Sequence, residues 1–220
     1  LLVVSGERVL DHADLRAVAV RDDDLVAVFD QVCDGAGRRL DGVHLLFEIL
    51  AQSIAAQGQS GLSCAYDYQK ASFRLADYGL PDEIFGVLSI PAIDLEMPIY
   101  LGATEQHMAA GAAHLSQTSL PIGGMDTNCV IAGHRGYNGA PYFRYVPELQ
   151  IGDSVDITNL WGTLHYKVVE TRIIQPNDID AIKIRPGRDL ITLLTCHPYA
   201  SGGRQRFLVI CERMEEENGR

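Results

Sequence analysis

From residue 82 onwards the chain consists largely of short apolar runs, separated by turn residues such as glycine, proline, asparagine and aspartate. Runs of this kind, rich in valine, isoleucine and threonine, are typical of β-strands. They occupy residues 84–90, 93–100, 129–132, 153–157, 163–175, 190–196 and 206–211. At least six strands with few helices between them favour a mostly β fold, in which the sheet closes or nearly closes into a barrel.

Helical spacing is confined to a few segments. The alanine-rich residues 105–115 are predicted to form a short helix, and residues 43–56 carry apolar side chains on one helical face. The N-terminal region lacks the strand-rich pattern of the rest, so we expect it to be a helical appendage. The predicted organisation is an appendage over residues 1–80, a β-barrel domain over 81–214 and a polar tail over 215–220.

The charge of the chain limits its partners. Its 220 residues include 18 basic and 29 acidic side chains, which gives a formal net charge of −11. Because so acidic a surface repels phosphate backbones, we exclude nucleic acid as a partner. No spacing of aspartate and glutamate resembles a calcium loop, and we expect neither a metal nor a cofactor.

The sequence contains no candidate membrane span, because no stretch of about 18 or more apolar residues occurs in it. It begins Leu-Leu-Val-Val-Ser-Gly-Glu, without an initiator methionine and without the basic segment of a signal peptide. We therefore expect a portion of a longer protein, with any membrane anchor lying outside it.

The number of cysteines is odd. There are five of them: Cys33, Cys64, Cys129, Cys196 and Cys211. No pair has Cys-x-x-Cys spacing, which argues against a zinc ribbon, and an odd count cannot form a complete disulfide framework within the chain. At least one free thiol is therefore expected.

Two reactive residue types stand at the ends of predicted strands. Cys196 lies where an apolar strand enters a loop, a place from which a rigid scaffold can present a nucleophile, although a free cysteine is more often a small buried hydrophobe. His134 follows another apolar strand and is flanked by Gly133 and Gly136, which leave its imidazole open to a ligand. The pair is more suggestive than either residue alone, because a thiol needs a nearby base or cation to act as a nucleophile.

Arg204 and Arg206 follow Cys196 in the same loop and at the start of the last predicted strand. A guanidinium there could stabilise the oxyanion that forms when a thiolate attacks a carbonyl. Arg206 is the better candidate, because a strand holds its backbone, whereas Arg204 has the features of a solvated loop residue. The order His134, Cys196, Arg206 disfavours the papain-like proteases, in which the cysteine precedes the histidine.

Three segments, which follow one another along the chain in the order found in a known family, carry a resemblance to that family. Residues 192–196 read Thr-Leu-Leu-Thr-Cys, residues 130–136 read Val-Ile-Ala-Gly-His-Arg-Gly, and Arg206 precedes Phe-Leu-Val. The first matches the TLxTC signature of the sortases, the cysteine transpeptidases of Gram-positive cell surfaces. The second resembles the strand that carries their catalytic histidine, and the third resembles the site of their catalytic arginine. The resemblance extends from residue 82 to residue 213.

This resemblance implies an eight-stranded sortase-type β-barrel with Cys196, His134 and Arg206 as catalytic residues. It implies cleavage of an LPxTG-like sorting signal after its threonine and transfer of the acyl group to an amine. The implied partners are sorting-signal proteins and either pilin subunits or a cell-wall amine. The implied location is the extracytoplasmic face of the cell membrane.

The subclass that the sequence most resembles is class C, the pilin-polymerising sortases. Residues 98–102, 115–124 and 133–136 carry this likeness, which implies a pilin lysine as acceptor. Those enzymes usually have an N-terminal lid with an Asp-Pro-aromatic motif, and no Asp-Pro dipeptide occurs in this chain. The appendage could therefore be a lid of another kind or a spacer. Two alternatives to pilus assembly stay open: a housekeeping sortase that anchors proteins to a peptidoglycan precursor, and a sortase-like barrel that binds peptide without turnover.

Overall fold

The computed structural model describes residues 2–4, 8–10, 84–159 and 162–214. Near the N-terminus two short strands, β1 (Leu2–Val4) and β2 (Arg8–Leu10), pair as an antiparallel hairpin that the sequence patterns did not indicate. This hairpin and the barrel described below belong to separate compact units. The helix predicted over residues 43–56 and the polar tail predicted over 215–220 lie outside the described residues.

Eight strands form a closed barrel, as the series of apolar runs predicted. The strands are β3 (Ile84–Ile90), β4 (Leu95–Leu101), β5 (Ala112–His114), β6 (Thr127–Ala132), β7 (Ser154–Asn159), β8 (Gly162–Ile174), β9 (Asp189–His197) and β10 (Gln205–Arg213). Around the barrel they follow the order β10, β8, β7, β3, β4, β5, β6, β9. Neighbours β4 and β5, and likewise β6 and β9, are parallel; the other pairs are antiparallel.

Buried side chains cover both faces of the neighbouring parallel strands β6 and β9. Ile131 of β6 and Ile191 of β9 belong to the main core, which Tyr166 and Val209 also enter from β8 and β10. Val130, the neighbour of Ile131, belongs instead to a second cluster on the other face. Strands buried on both faces read as continuous apolar runs, which is the pattern seen in the sequence of β6 and β9.

The helix predicted over residues 105–115 is shorter than expected. The helix α1 (Glu105–Ala110) is capped by the side chain of Thr104 and ends before Ala112–His114, which form strand β5. Alanine favours helix, but here the pairing of β5 with both β4 and β6 in the buried wall of the barrel overrides that preference. In the part of the chain that the structure describes, no helix is long and apolar enough to cross a membrane.

Strand direction sorts the candidate residues to one end of the barrel. The parallel strands β6 and β9 finish at the same end, and β10, which is antiparallel to β9, begins there. His134 follows β6, Cys196 is the penultimate residue of β9, and Arg206 is the second residue of β10. This end is called the site end below. The first barrel strand, β3, begins at the opposite end, and the last, β10, finishes there.

Candidate active site

Two hydrogen bonds join the segments that carry His134 and Cys196. The backbone N–H of Gly133 donates to the carbonyl of Leu194 at 3.0 Å, and the buried hydroxyl of Thr195 donates to the carbonyl of Gly133 at 2.9 Å. The residues directly before the histidine and directly before the cysteine are thus fastened to each other. Barrel closure in this way brings together two residues that lie 62 positions apart in the sequence.

Gly133 has no space for a side chain. A Cβ at this position would lie 2.6 to 2.7 Å from ring atoms of the buried Phe143. The N–H of Phe143 donates to the carbonyl of His134 at 2.9 Å, so the loop that follows β6 folds back against the histidine. The glycine permits this close approach and thereby fixes where the His134 backbone lies.

The imidazole of His134 lies in an aromatic environment. Its ring stacks on Tyr137 with 4.6 Å between centroids and an interplanar angle of 14°, and the ring of Tyr142 meets it edge-on at 6.3 Å. Burial lowers the pKa of His134 below its ordinary value, because desolvation disfavours the imidazolium. At neutral pH the ring is therefore mainly the neutral form, which can accept a proton.

Three of the five cysteines lie in the described residues, and all three are free thiols. Cys129 and Cys211 are buried in the core of the barrel, and burial raises the pKa of both thiols. Cys196 is half-buried at the site end. Because the thiolate is the reactive form, the two core thiols are poor nucleophiles and Cys196 is the one placed to react.

Arg206 lies beside the Cys196 thiol. The two residues are direct partners in the β9–β10 register. A Cβ on Gly203 would lie 2.9 Å from Nη1 of Arg206 and 3.4 Å from Sγ of Cys196, so guanidinium and thiol approach the same point. Nη1 donates to the carbonyl of Gly203 at 2.6 Å and to that of Gln205 at 3.1 Å. Arg204, in contrast, is exposed and makes no hydrogen bond to any described residue.

The sequence patterns did not single out Arg135, which contacts the same site. Its Nη1 donates to the carbonyl of Cys196 at 3.3 Å and to Nδ1 of His197 at 2.9 Å. Its position directly after His134 was the available signal. That signal is weak, because the direction of an arginine side chain in a loop is decided by the fold and not by neighbours in the sequence.

A thiol, an imidazole and a guanidinium thus share one end of the barrel. This combination can perform nucleophilic acyl transfer: the thiol forms the covalent bond, the imidazole moves protons and the guanidinium stabilises negative charge on the carbonyl oxygen. No group of three histidine, cysteine or acidic side chains that could hold a metal occurs within residues 84–159 and 162–214.

Known proteins similar to this chain include several sortases. Sortase D of Bacillus subtilis (strain 168) is 29% identical over 133 residues, which cover 59% of this chain and 63% of the relative. Sortase A of Bacillus anthracis is 27% identical over 114 residues, which cover 52% of each chain. The aligned region therefore spans between one half and two thirds of the length of these relatives.

Solved structures show the same likeness over more of the chain. A pilus-related sortase C of Group B Streptococcus superposes with a TM-score of 0.75 and 26% identity, covering 89% of this chain and 98% of that one. Sortase C-1 from Streptococcus pneumoniae gives a TM-score of 0.72 and 32% identity, covering 86% and 97%. The family model of the sortase domain matches residues 88–214, more than half of the chain. The chain therefore belongs to the sortase family.

Proposed function

We propose that this protein is a cysteine transpeptidase that cleaves an LPxTG-like sorting signal after its threonine and joins the acyl group to an amine. The observation that carries the proposal is the convergence of Cys196, His134 and Arg206 at the site end of a sortase barrel. Membership of the sortase family supports the type of reaction. The catalytic roles of Cys196, His134 and Arg206 are part of the proposal.

In the first step the thiolate of Cys196 attacks the carbonyl carbon of the signal's threonine, which forms a C–S bond and a tetrahedral oxyanion. Arg206 donates hydrogen bonds to this oxygen. When the intermediate collapses, the C–N bond of the scissile peptide breaks and the imidazolium of His134 gives its proton to the leaving amine. A thioester on Cys196 and a free amine on the departing segment result.

In the second step neutral His134 takes a proton from the incoming amine, whose nitrogen attacks the thioester carbonyl. The new C–N bond forms, the C–S bond breaks, and Cys196 leaves as a thiolate. The lowered pKa of His134 suits this step, because it favours the neutral ring. The first step needs the imidazolium, which is then the minor form, so we expect slow turnover.

A pilin lysine is the acceptor that we propose. Support comes from the similarity to the streptococcal sortase C structures, one of which is described as pilus-related. The alternative is a housekeeping role with a cell-wall amine as acceptor, and the similarity to proteins named sortase A in Bacillus anthracis and Listeria monocytogenes favours it. Reaction of one sorting peptide with both kinds of amine, followed by mass spectrometry of the linkage, distinguishes them.

We further propose that residues 81–214 form the catalytic barrel, that residues 1–80 serve as a lid or a spacer, and that residues 215–220 are a polar tail. Family membership supports an extracytoplasmic location at the cell membrane, with sorting-signal proteins as partners.

The reaction is tested by two substitutions and one labelling experiment. Cys196→Ala and His134→Ala are each expected to lower transfer of an LPxTG-type peptide by about 10³-fold or more, because nucleophile and proton carrier act as a unit. Circular dichroism should show that both variants keep the barrel.

Brief alkylation of the folded protein near neutral pH, followed by peptide mapping, should label Cys196 and spare Cys129 and Cys211. If Cys196 resists the reagent, and Cys196→Ala binds the sorting peptide as tightly as the parent while neither protein transfers it, catalysis by this thiol is wrong. The peptide-binding alternative then becomes the better description.

A further inference from the structure

Arg135 directly follows His134, but its side chain turns towards the neighbouring strand. Its Nη1 donates to the carbonyl of Cys196 at 3.3 Å and to Nδ1 of His197 at 2.9 Å. We infer that Arg135 is a positioning residue for the acyl transfer, an inference that rests on the proposed function. It holds the end of β9, and with it the nucleophile, at a set distance from His134.

The two acceptors belong to the peptide unit that directly follows the nucleophile and to the side chain of the next residue. One is the carbonyl of that peptide, on Cys196, and the other is the ring of the next residue, His197. A planar guanidinium bonded to both restrains the orientation of this peptide plane. The backbone from which the thiol projects is restrained in turn. Because Arg135 is covalently joined to His134, the same contact links the histidine to the thiol.

His197 extends this link to the third strand of the site. Arginine can only donate, so Nδ1 must accept, and a neutral His197 ring therefore carries its proton on Nε2. The ring packs against Phe207 of β10, with 5.7 Å between centroids. A continuous set of contacts thus runs from the loop of His134 through Arg135 and His197 to the strand that carries Arg206.

The contacts of Arg135 indicate a small net contribution to the stability of the folded barrel. Its Nε–H is shielded from solvent and has no hydrogen-bond partner among the residues that the structure describes. Within the described ranges no carboxylate forms an ion pair with it. An unpaired buried donor opposes folding and so offsets what the two hydrogen bonds contribute. We therefore expect loss of Arg135 to affect the geometry of the site more than the stability of the barrel.

The test compares Arg135→Met, which keeps the aliphatic stem but cannot donate, with Arg135→Lys and with Arg204→Met. Arg204 is at the same end of the barrel, exposed and without a hydrogen bond to a described residue, so its variant removes the same charge without touching Cys196. For Arg135→Met we expect kcat to fall about tenfold or more with KM changed less than about twofold. The thermal midpoint should stay within about 4 °C of the parent.

The matched variants separate positioning from charge and from stability. Arg135→Lys should recover part of kcat, since its ammonium can donate to the same acceptors but lacks the fixed donor directions of a planar guanidinium, and Arg204→Met should match the parent. Equal losses in Arg135→Met and Arg204→Met would show that only charge matters and would overturn the inference. Parent-like kcat in Arg135→Met would overturn it as well, and so would a fall in activity that simply follows a large fall in the thermal midpoint.

The anchoring role of His197 is tested by a second pair of variants. Asparagine can place its side-chain oxygen where Nδ1 lies, whereas alanine cannot, so His197→Asn should keep more kcat than His197→Ala. Equal activities would contradict the anchoring.

The alkylation rate of Cys196 provides a readout that needs no substrate. It should change severalfold in Arg135→Met and not in Arg204→Met. If the parent transfers no peptide, the proposed function is wrong, and the alkylation rates still decide whether Arg135 positions the thiol.

Discussion

At the scale of single residues, Arg206 holds a carbonyl of its own chain. Its Nη1 bonds to Gly203, whose backbone lies against the Cys196 thiol, and the guanidinium makes no bond to a described residue beyond Gly203 and Gln205. A substrate carbonyl that approaches Cys196 can therefore be bound by the N–H groups on Nε and Nη2, while Nη1 keeps its contact with Gly203. The fork shape of the guanidinium allows sharing, because separate N–H groups can serve the loop and the oxyanion.

We therefore expect Arg206→Lys to lower kcat/KM for the sorting peptide by about 10²-fold. A lysine ammonium is a point donor and cannot keep the Gly203 carbonyl while also donating to the oxyanion from a fixed direction. Steady-state cleavage assays measure this, with Arg204→Lys as the matched control. Parent-like activity of Arg206→Lys would remove Arg206 from the mechanism and bring Arg204 forward.

The three candidate catalytic residues were recognisable in the sequence because each stands beside an apolar run and within a family motif. Arg135 and Gly203 were not, although both contact the site. Gly203 has a φ of +76°, so its proximity to the thiol depends on a left-handed loop conformation. Local sequence does not encode which loop carbonyl or which side chain such a turn directs towards a neighbouring strand.

At the scale of elements, the junction between β6 and its following loop depends on close packing of Gly133 against Phe143. Gly133→Ala would place a methyl group against the aromatic ring, and the backbone of His134 would have to shift. We expect kcat/KM to fall by about 10²-fold, because small displacements of a catalytic group have effects of that size.

The matched control for Gly133→Ala is the double variant with Phe143→Leu, which removes the ring atoms. It should recover part of the lost activity beyond the effect of Phe143→Leu alone, a coupling that a double-mutant cycle measures. Full activity of Gly133→Ala would show that the close contact does not set the position of His134.

Strand β5 introduces a pH-dependent term into the stability of the barrel. His114 is 1% exposed, its Nε2 lies 2.9 Å from the carbonyl of Ser119, and burial lowers its pKa from 6.5 to about 4. Between these two values the unfolded chain binds the proton more readily than the folded one. The contribution of neutral His114 to the free energy of unfolding is therefore fully present above pH ~6.5. It is lost as the pH falls towards ~4, and the loss is on the order of 3 kcal/mol.

Urea unfolding between pH ~4 and ~6.5 measures this effect. His114→Gln is the control, because glutamine can still donate to the Ser119 carbonyl but does not titrate. We expect the parent to lose more stability than the variant as the pH falls. Equal losses would mean that other groups account for the pH dependence.

Seven of the eight barrel strands follow from the sequence, all of them within two residues at each end, because residues buried on a pleated sheet give a clear apolar pattern. The strand that the sequence did not reveal is β5, only three residues long and preceded by α1 in an alanine-rich segment. Its extended form depends on pairing with β4 and β6, and such long-range contacts are not visible in local propensity.

At the scale of the whole molecule, the strands from β3 to β10 complete a closed ring of hydrogen-bonded neighbours. We therefore expect a chain that lacks residues 1–78 to fold, which circular dichroism and thermal unfolding would show. Failure to fold would contradict the domain boundary proposed near residue 80. If the truncated protein folds and cleaves peptide faster than the parent, the appendage is a lid, whereas an unchanged rate identifies a spacer.

The directions of the strands also determine which end of the barrel would point away from a solid support. β3 enters the barrel and β10 leaves it at the end opposite Cys196. If a bead, an affinity tag or a fused protein is joined just before Ile84 or just after Met214, the end of the barrel that carries Cys196 therefore lies away from the attachment. For immobilisation, either terminus of the barrel is a suitable point of attachment, and the loops at the site end are not.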